Sequence, residues 1–98
     1  MAKENFNTDD LTNLSEELVF EQIQQLIDEG NTDVPTSDIS IQDVAAIALN
    51  NIPPKYICSL IDKVDPREEL RRDLMDLRKY ARRQVLKAIS IVNKNPHD

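Results

Sequence analysis

Over residues 14–27 the apolar side chains Leu14, Leu18, Phe20, Ile23, Leu26 and Ile27 recur mostly at three- and four-residue intervals, with Val19 widening the stripe. That period belongs to an amphipathic helix. Glu16 and Glu17 favour its positive end and Gly30 supplies a stop, so a first helix is predicted from residues 13–15 to residue 30. A second run, Ile41, Val44, Ala45, Ala48 and Leu49, predicts a shorter helix capped by Ser40, with Asp43 as an acidic capping-box partner. Its alanines permit close approach of another helix. A third stripe, Leu70, Leu74, Leu77, Ala81, Val85, Ala88 and Val92, predicts a helix over residues 66–93, with Asp65 as cap and Pro66 at the first helical position. About 28 residues span about 40 Å, so its far end is expected to project or meet a partner. Residues 31–38 read as a polar loop with too little hydrophobicity to pack. Residues 1–12 read as a flexible segment, 13–94 as one helical domain and 95–98 as a tail.

The second helix ends in a corner, Leu49-Asn50-Asn51-Ile52-Pro53-Pro54-Lys55-Tyr56. A residue before proline is pushed out of the helical region, and two prolines withhold two backbone donors, so the chain must turn there. Asn50 and Asn51 can satisfy the last helical carbonyls or take left-handed backbone, and Lys55 and Tyr56 follow on a stiffened arm. The apolar stretch after the corner reads equally as a brief extended segment or a turn of helix. The fold class is therefore mainly α: a small domain of three principal helices, with a Pro-Pro corner and a short irregular or extended segment between the second and third.

Composition narrows the chemistry. The aromatics are Phe6, Phe20, Tyr56 and Tyr80, and Gly30 is the sole glycine, so the core must be aliphatic and sheet-forming turns are scarce. Cys58 is the one cysteine. It cannot form an internal disulfide, and without further thiols or a histidine cluster neither a metal site nor a cofactor is expected. No apolar run approaches the about 20 residues that cross a bilayer, and the start lacks a signal-peptide stretch, so a cytoplasmic protein is expected. No glycine-rich phosphate loop or paired catalytic motif is present, and His97 lies in the tail; the expectation is a protein without enzymatic activity.

The formal charge of −6 is unevenly distributed. Up to Asn51, Lys3 alone stands against eleven acids, whereas from Ile52 onward eleven bases face seven acids. Either the acidic half neutralises the basic helix within the fold, or the basic helix captures an anion. Net acidity argues against sequence-independent DNA binding, and the stretch between the second and third helices is too long for a helix-turn-helix. With Leu70 at zero and about 100° per residue, Arg71, Arg78 and Arg82 cluster near about 100°, and Arg72, Lys79 and Arg83 near about 200°. Glu68, Glu69, Asp73 and Asp76 can pair with the first of these bases, but beyond Asp76 the sequence offers no local counterion. Leu86 and Ile89 lie off the core stripe on this projection, which suggests a helix-mediated homodimer contact.

The Glu16-Glu17-Leu18-Val19 stretch, together with the helix ending in the Leu49-Asn50-Asn51-Ile52-Pro53-Pro54-Lys55-Tyr56 corner, resembles the ComFB family of late competence development proteins. The resemblance runs from about residue 14 to residue 56. Relatives in that family are implicated as receptors for cyclic dinucleotides, so it implies a signalling receptor for cyclic di-GMP first and cyclic di-AMP second, passing its signal to a protein partner. This chain departs from some relatives in having no cysteine cluster between the first two helices, and from many in having no glycine after the tyrosine. A cyclic dinucleotide carries two phosphates and two purines, and arginine can hold phosphate or a guanine edge bidentately and stack on a base. The expected contacts are Arg71, Arg78 and Arg82 for phosphate or base, Lys55 for phosphate, Tyr56 for stacking or a phenolic hydrogen bond, and Asn51 for a base edge. Tyr56 reads as well as a packing residue. The alternative is a protein-interaction or dimerisation module that uses the basic last helix and no nucleotide.

Overall fold

The computed structural model describes residues 1–58 and 65–95. A 3-10 turn, Ala2–Asn5, precedes a short strand β1, Thr12–Asn13, and three α-helices follow: α1, Leu14–Asp28; α2, Asp38–Leu49; and α3, Glu68–Lys94. A second two-residue strand, β2, Tyr56–Ile57, pairs antiparallel with β1 in the register Thr12 to Ile57 and Asn13 to Tyr56. The fold is mainly helical, as the periodicity predicts, and the residues directly after the corner are extended.

The core gathers along α3, which packs against both α1 and α2 more extensively than they pack on each other. Leu18, Val19, Ile23 and Leu26 of α1, Val44, Ala45 and Ala48 of α2, and Ala81, Val85, Ala88, Ile89 and Val92 of α3 are buried there, with Ile52 of the corner. The alanines bring the helices close, and Ala48, Ala81 and Ala88 are wholly buried.

Helix α1 begins where expected. The Asn13 side chain caps it by accepting from the Ser15 N–H at 3.1 Å. At its other end Gly30 takes φ +81°, its N–H donates to the Ile27 carbonyl, and the Asn31 N–H donates to the Leu26 carbonyl. This is a Schellman closure, and a left-handed residue there favours glycine.

Several expectations are corrected. Phe20 and Ile27 face solvent, while Gln22 is buried in their place. Measured from Leu18, Gln22 lies at about 40° and Phe20 and Ile27 at about 180–200°, outside the arc that meets the other helices. Ser37, not Ser40, caps α2, accepting from the Ser40 N–H at 3.2 Å, and Ser40 is buried one turn in. The 31–38 loop contributes Val34 to the core. Helix α3 starts at Glu68 with Arg67 at its cap position and no side-chain cap; the Asp65 carboxylate instead pairs with Arg71 at 2.9 Å. The far end of α3 does not project, because its last turns carry Ala88, Ile89 and Val92 into the core and Asn93 Nδ2 donates to the Asp33 carbonyl at 2.8 Å. Ile89 is 4% exposed, so it belongs to the monomer's own core and is not available as a dimer contact, whereas Leu86 is 42% exposed. Ile89 shares the angular position of Arg78 and Arg82, and that side of α3 faces α1.

Candidate functional site

The Pro-Pro corner is fixed from outside its own segment. Ser15, in the first turn of α1 and almost fully buried, donates its hydroxyl to the Pro53 carbonyl at 2.6 Å. The Asn13 Oδ1 that caps α1 also accepts from the Lys55 N–H at 3.0 Å, and the Leu14 N–H donates to the Lys55 carbonyl at 2.7 Å. Three hydrogen bonds thus hold the exit of the corner against the N-terminus of α1. Asn51 closes α2, its Nδ2 donating to the Ile47 carbonyl at 2.8 Å.

So anchored, the corner and β2 stand beside the first half of α3 and form two open hollows with a shared wall. One, of about 430 Å³, is bordered by Tyr56, Ile57, Arg67, Glu69 and Leu70. The other, of about 540 Å³, is bordered by Pro53, Pro54, Asp76, Leu77, Tyr80 and Arg83. Lys55 and Asp73 line both, and their ion pair, Nζ to Oδ2 at 3.2 Å, forms the divide. In the second hollow the Arg83 guanidinium lies 5.3 Å from the centre of the Tyr80 ring, a cation–π contact. Each hollow therefore carries a tyrosine, an arginine and a carboxylate, with a lysine between them.

Of the residues that sequence reasoning named, Lys55 and Tyr56 line this groove, and Tyr56 is 61% exposed. Arg71, Arg78, Arg82 and Asn51 do not. The arginines expected to lack counterions have them: Arg78 Nε meets Glu21 at 2.8 Å and Arg82 meets Glu29 at 2.6 Å, both carboxylates belonging to α1. Arg71 is held by Asp65 and Arg72 by Glu68 at 3.0 Å. The acidic first half of the chain thus neutralises Arg78 and Arg82, while Arg71 and Arg72 are paired from within the second half. The α3 residues that face the groove, Glu69, Asp73, Asp76, Tyr80 and Arg83, lie at about 220–300° on the helical projection, across the core stripe from the Arg78 and Arg82 row.

Sequence reasoning missed Arg67, Tyr80, Arg83, Asp73 and Asp76 as groove residues, and Asn13 and Ser15 as anchors. Only the three-residue spacing of Tyr80 and Arg83 hinted at their contact. The two α1 pairs are half exposed, and each is worth about 0.2–1 kcal/mol. Arg78→Ala and Arg82→Ala should each lower the melting temperature by only a few degrees, and less in high salt; a larger loss in thermal unfolding would show that these pairs hold α1 to α3.

Among the described residues no helix is long and apolar enough to cross a membrane, and no group of three or more His, Cys, Asp or Glu side chains is placed to hold a metal ion. Fold and groove together define a small three-helix α domain with an open cation-and-aromatic cleft at a proline corner. The family model for the late competence development protein ComFB matches residues 12–96, and the chain belongs to the ComFB family. Among solved structures, the late competence protein ComFB from Bacillus subtilis is similar at a TM-score of 0.66 and 22% identity, covering 90% of this chain and 93% of that one. At that identity the likeness speaks for the fold. No match was found among curated proteins.

Proposed function

We propose that this ComFB-family chain is a non-enzymatic receptor for a cyclic dinucleotide, cyclic di-GMP before cyclic di-AMP, and that the groove beside the corner is where it binds. The observation that carries the reading is the doubled composition of the groove: Tyr56 with Arg67 on one side of Lys55, Tyr80 with Arg83 on the other. A ligand with two purines and two phosphates asks for two stacking faces and cations near each. Arg67 and Arg83 have no carboxylate partner among the described residues, unlike Arg71, Arg78 and Arg82, so neither must give up an ion pair to meet phosphate. The anchored corner supports the same reading, since a preformed wall does not have to be ordered when ligand arrives.

Titration calorimetry at moderate salt tests it. Cyclic di-GMP should bind the full chain, and Arg83→Ala and Arg67→Ala should each weaken binding about tenfold or more, the worth of a charge-assisted hydrogen bond. Arg78→Ala should bind as the parent does. Absence of heat with either cyclic dinucleotide at tens of micromolar protein would leave the chain a protein-interaction module. Binding lost with Arg78→Ala but kept with Arg83→Ala would move the site to the α1-facing side of α3.

A further inference from the structure

The groove's carboxylates are unexpected beside a dianion. Glu69, Asp73 and Asp76 line it, and each would repel phosphate unless neutralised or turned to hydrogen-bond donors. Asp73 is neutralised by Lys55. Asp76 has no hydrogen-bond or ion-pair partner among the described residues, and it borders the hollow walled by Pro53, Pro54 and Leu77. On α3, Asp76, Tyr80 and Arg83 fall within about 60° of one another, one side chain above the next. A purine stacked against the Tyr80 and Arg83 pair would therefore have its edge within the reach of the Asp76 side chain.

We infer, resting on the receptor reading above, that Asp76 makes the groove selective for guanine over adenine. The Watson–Crick edge of guanine presents two neighbouring donors, N1–H and the N2 amine, and a carboxylate offers two acceptor oxygens at matching separation. Adenine presents an acceptor at N1, which would face a carboxylate oxygen lone pair to lone pair. A carboxylate in this position accepts from one base and rejects the other, which is the asymmetry a purely cationic groove lacks. Arg83, placed over the Tyr80 ring, has no carboxylate partner among the described residues and can meet the phosphate or the O6/N7 edge.

Calorimetry on the full chain with cyclic di-GMP, cyclic di-AMP and cyclic di-IMP separates the possibilities. Wild type should prefer cyclic di-GMP to cyclic di-AMP by about tenfold or more, and cyclic di-IMP, which keeps N1–H but lacks the exocyclic amine, should bind more weakly than cyclic di-GMP. Asp76→Asn should weaken cyclic di-GMP about ten- to a hundredfold while cyclic di-AMP is unchanged or improved, because a carboxamide offers the donor and acceptor that adenine complements. Its melting temperature should match the parent's, the side chain being exposed. If cyclic di-GMP binds but Asp76→Asn weakens both nucleotides equally, weakens neither, or cyclic di-IMP equals cyclic di-GMP, the assignment to Asp76 falls and the receptor reading stands. If wild type binds no cyclic dinucleotide, the receptor reading fails and this inference with it.

Discussion

Truncating Leu26 to alanine should cost about 2–5 kcal/mol of folding free energy, a large share of the about 5–15 kcal/mol that a domain of this size has to lose. Leu26 is 2% exposed and lies in the cluster where α1 meets the rest of the core, so its side chain cannot be removed without leaving a void lined by other buried residues. Its neighbour provides the control: Ile27 is 47% exposed, and Ile27→Ala should change stability by about 0.5 kcal/mol or less. Urea unfolding of the two variants, read as midpoint shifts at constant slope, measures the difference. Similar losses in both would mean that α1 is rotated about its axis from the orientation described.

Replacing Asn13 by alanine should cost about 2–4 kcal/mol, more than loss of a helix cap alone. One carbonyl oxygen, Asn13 Oδ1, accepts both the Ser15 N–H at the start of α1 and the Lys55 N–H at the exit of the corner. Loss of the cap is worth about 1 kcal/mol, and leaving the part-buried Lys55 donor without an acceptor adds about 1–3 kcal/mol. For a chain of this length that corresponds to a fall in melting temperature of about 10 °C or more. Asn13→Asp keeps the acceptor and places a negative charge at the positive end of α1, so it should retain most of the stability. Ser15→Ala removes the second tie to the same corner, and the two losses should be non-additive because both act through the placement of residues 53–55. If Asn13→Ala costs no more than an ordinary cap, the corner is held by Ser15, the Leu14 N–H and the strand pair. Under the receptor reading, Asn13→Ala should also weaken cyclic di-GMP binding, because Lys55 and the two prolines form one side of the groove.

Much of the architecture can be read from local rules. The apolar period of α3, the stop at Gly30 and the break at Pro53 and Pro54 act over a few residues, so their positions follow from helical geometry and backbone sterics alone. The errors share a different origin. Phe20 and Ile27 look as apolar as Leu26, and only the directions from which α2 and α3 approach decide that Gln22 is covered and they are not. Arg78 and Arg82 lack counterions within their own helix, yet Glu21 and Glu29 lie across the interface, more than fifty residues away in sequence. Ile89 falls off the predicted stripe because the projection assumed one covered side, whereas α3 is covered by two helices.

What the chain determines by itself is therefore the set of helices, the stop at Gly30, the aliphatic character of the core and the turn at Pro53 and Pro54 that carries Lys55 and Tyr56. The helical periods and the stops depend on residues a turn or less apart, which sequence spacing encodes directly, whereas the corner is held by Asn13 and Ser15 from the start of α1. Which side of α3 faces that corner was decided by tertiary packing. A helix with bases on one side and a mixed acidic, aromatic and basic row on another can present either to a neighbour, and the choice rests on where α1 and α2 bury the stripe between them. By burying that stripe, the packing turns Arg78 and Arg82 toward the carboxylates of α1 and leaves Asp76, Tyr80 and Arg83 to line the groove beside the prolines.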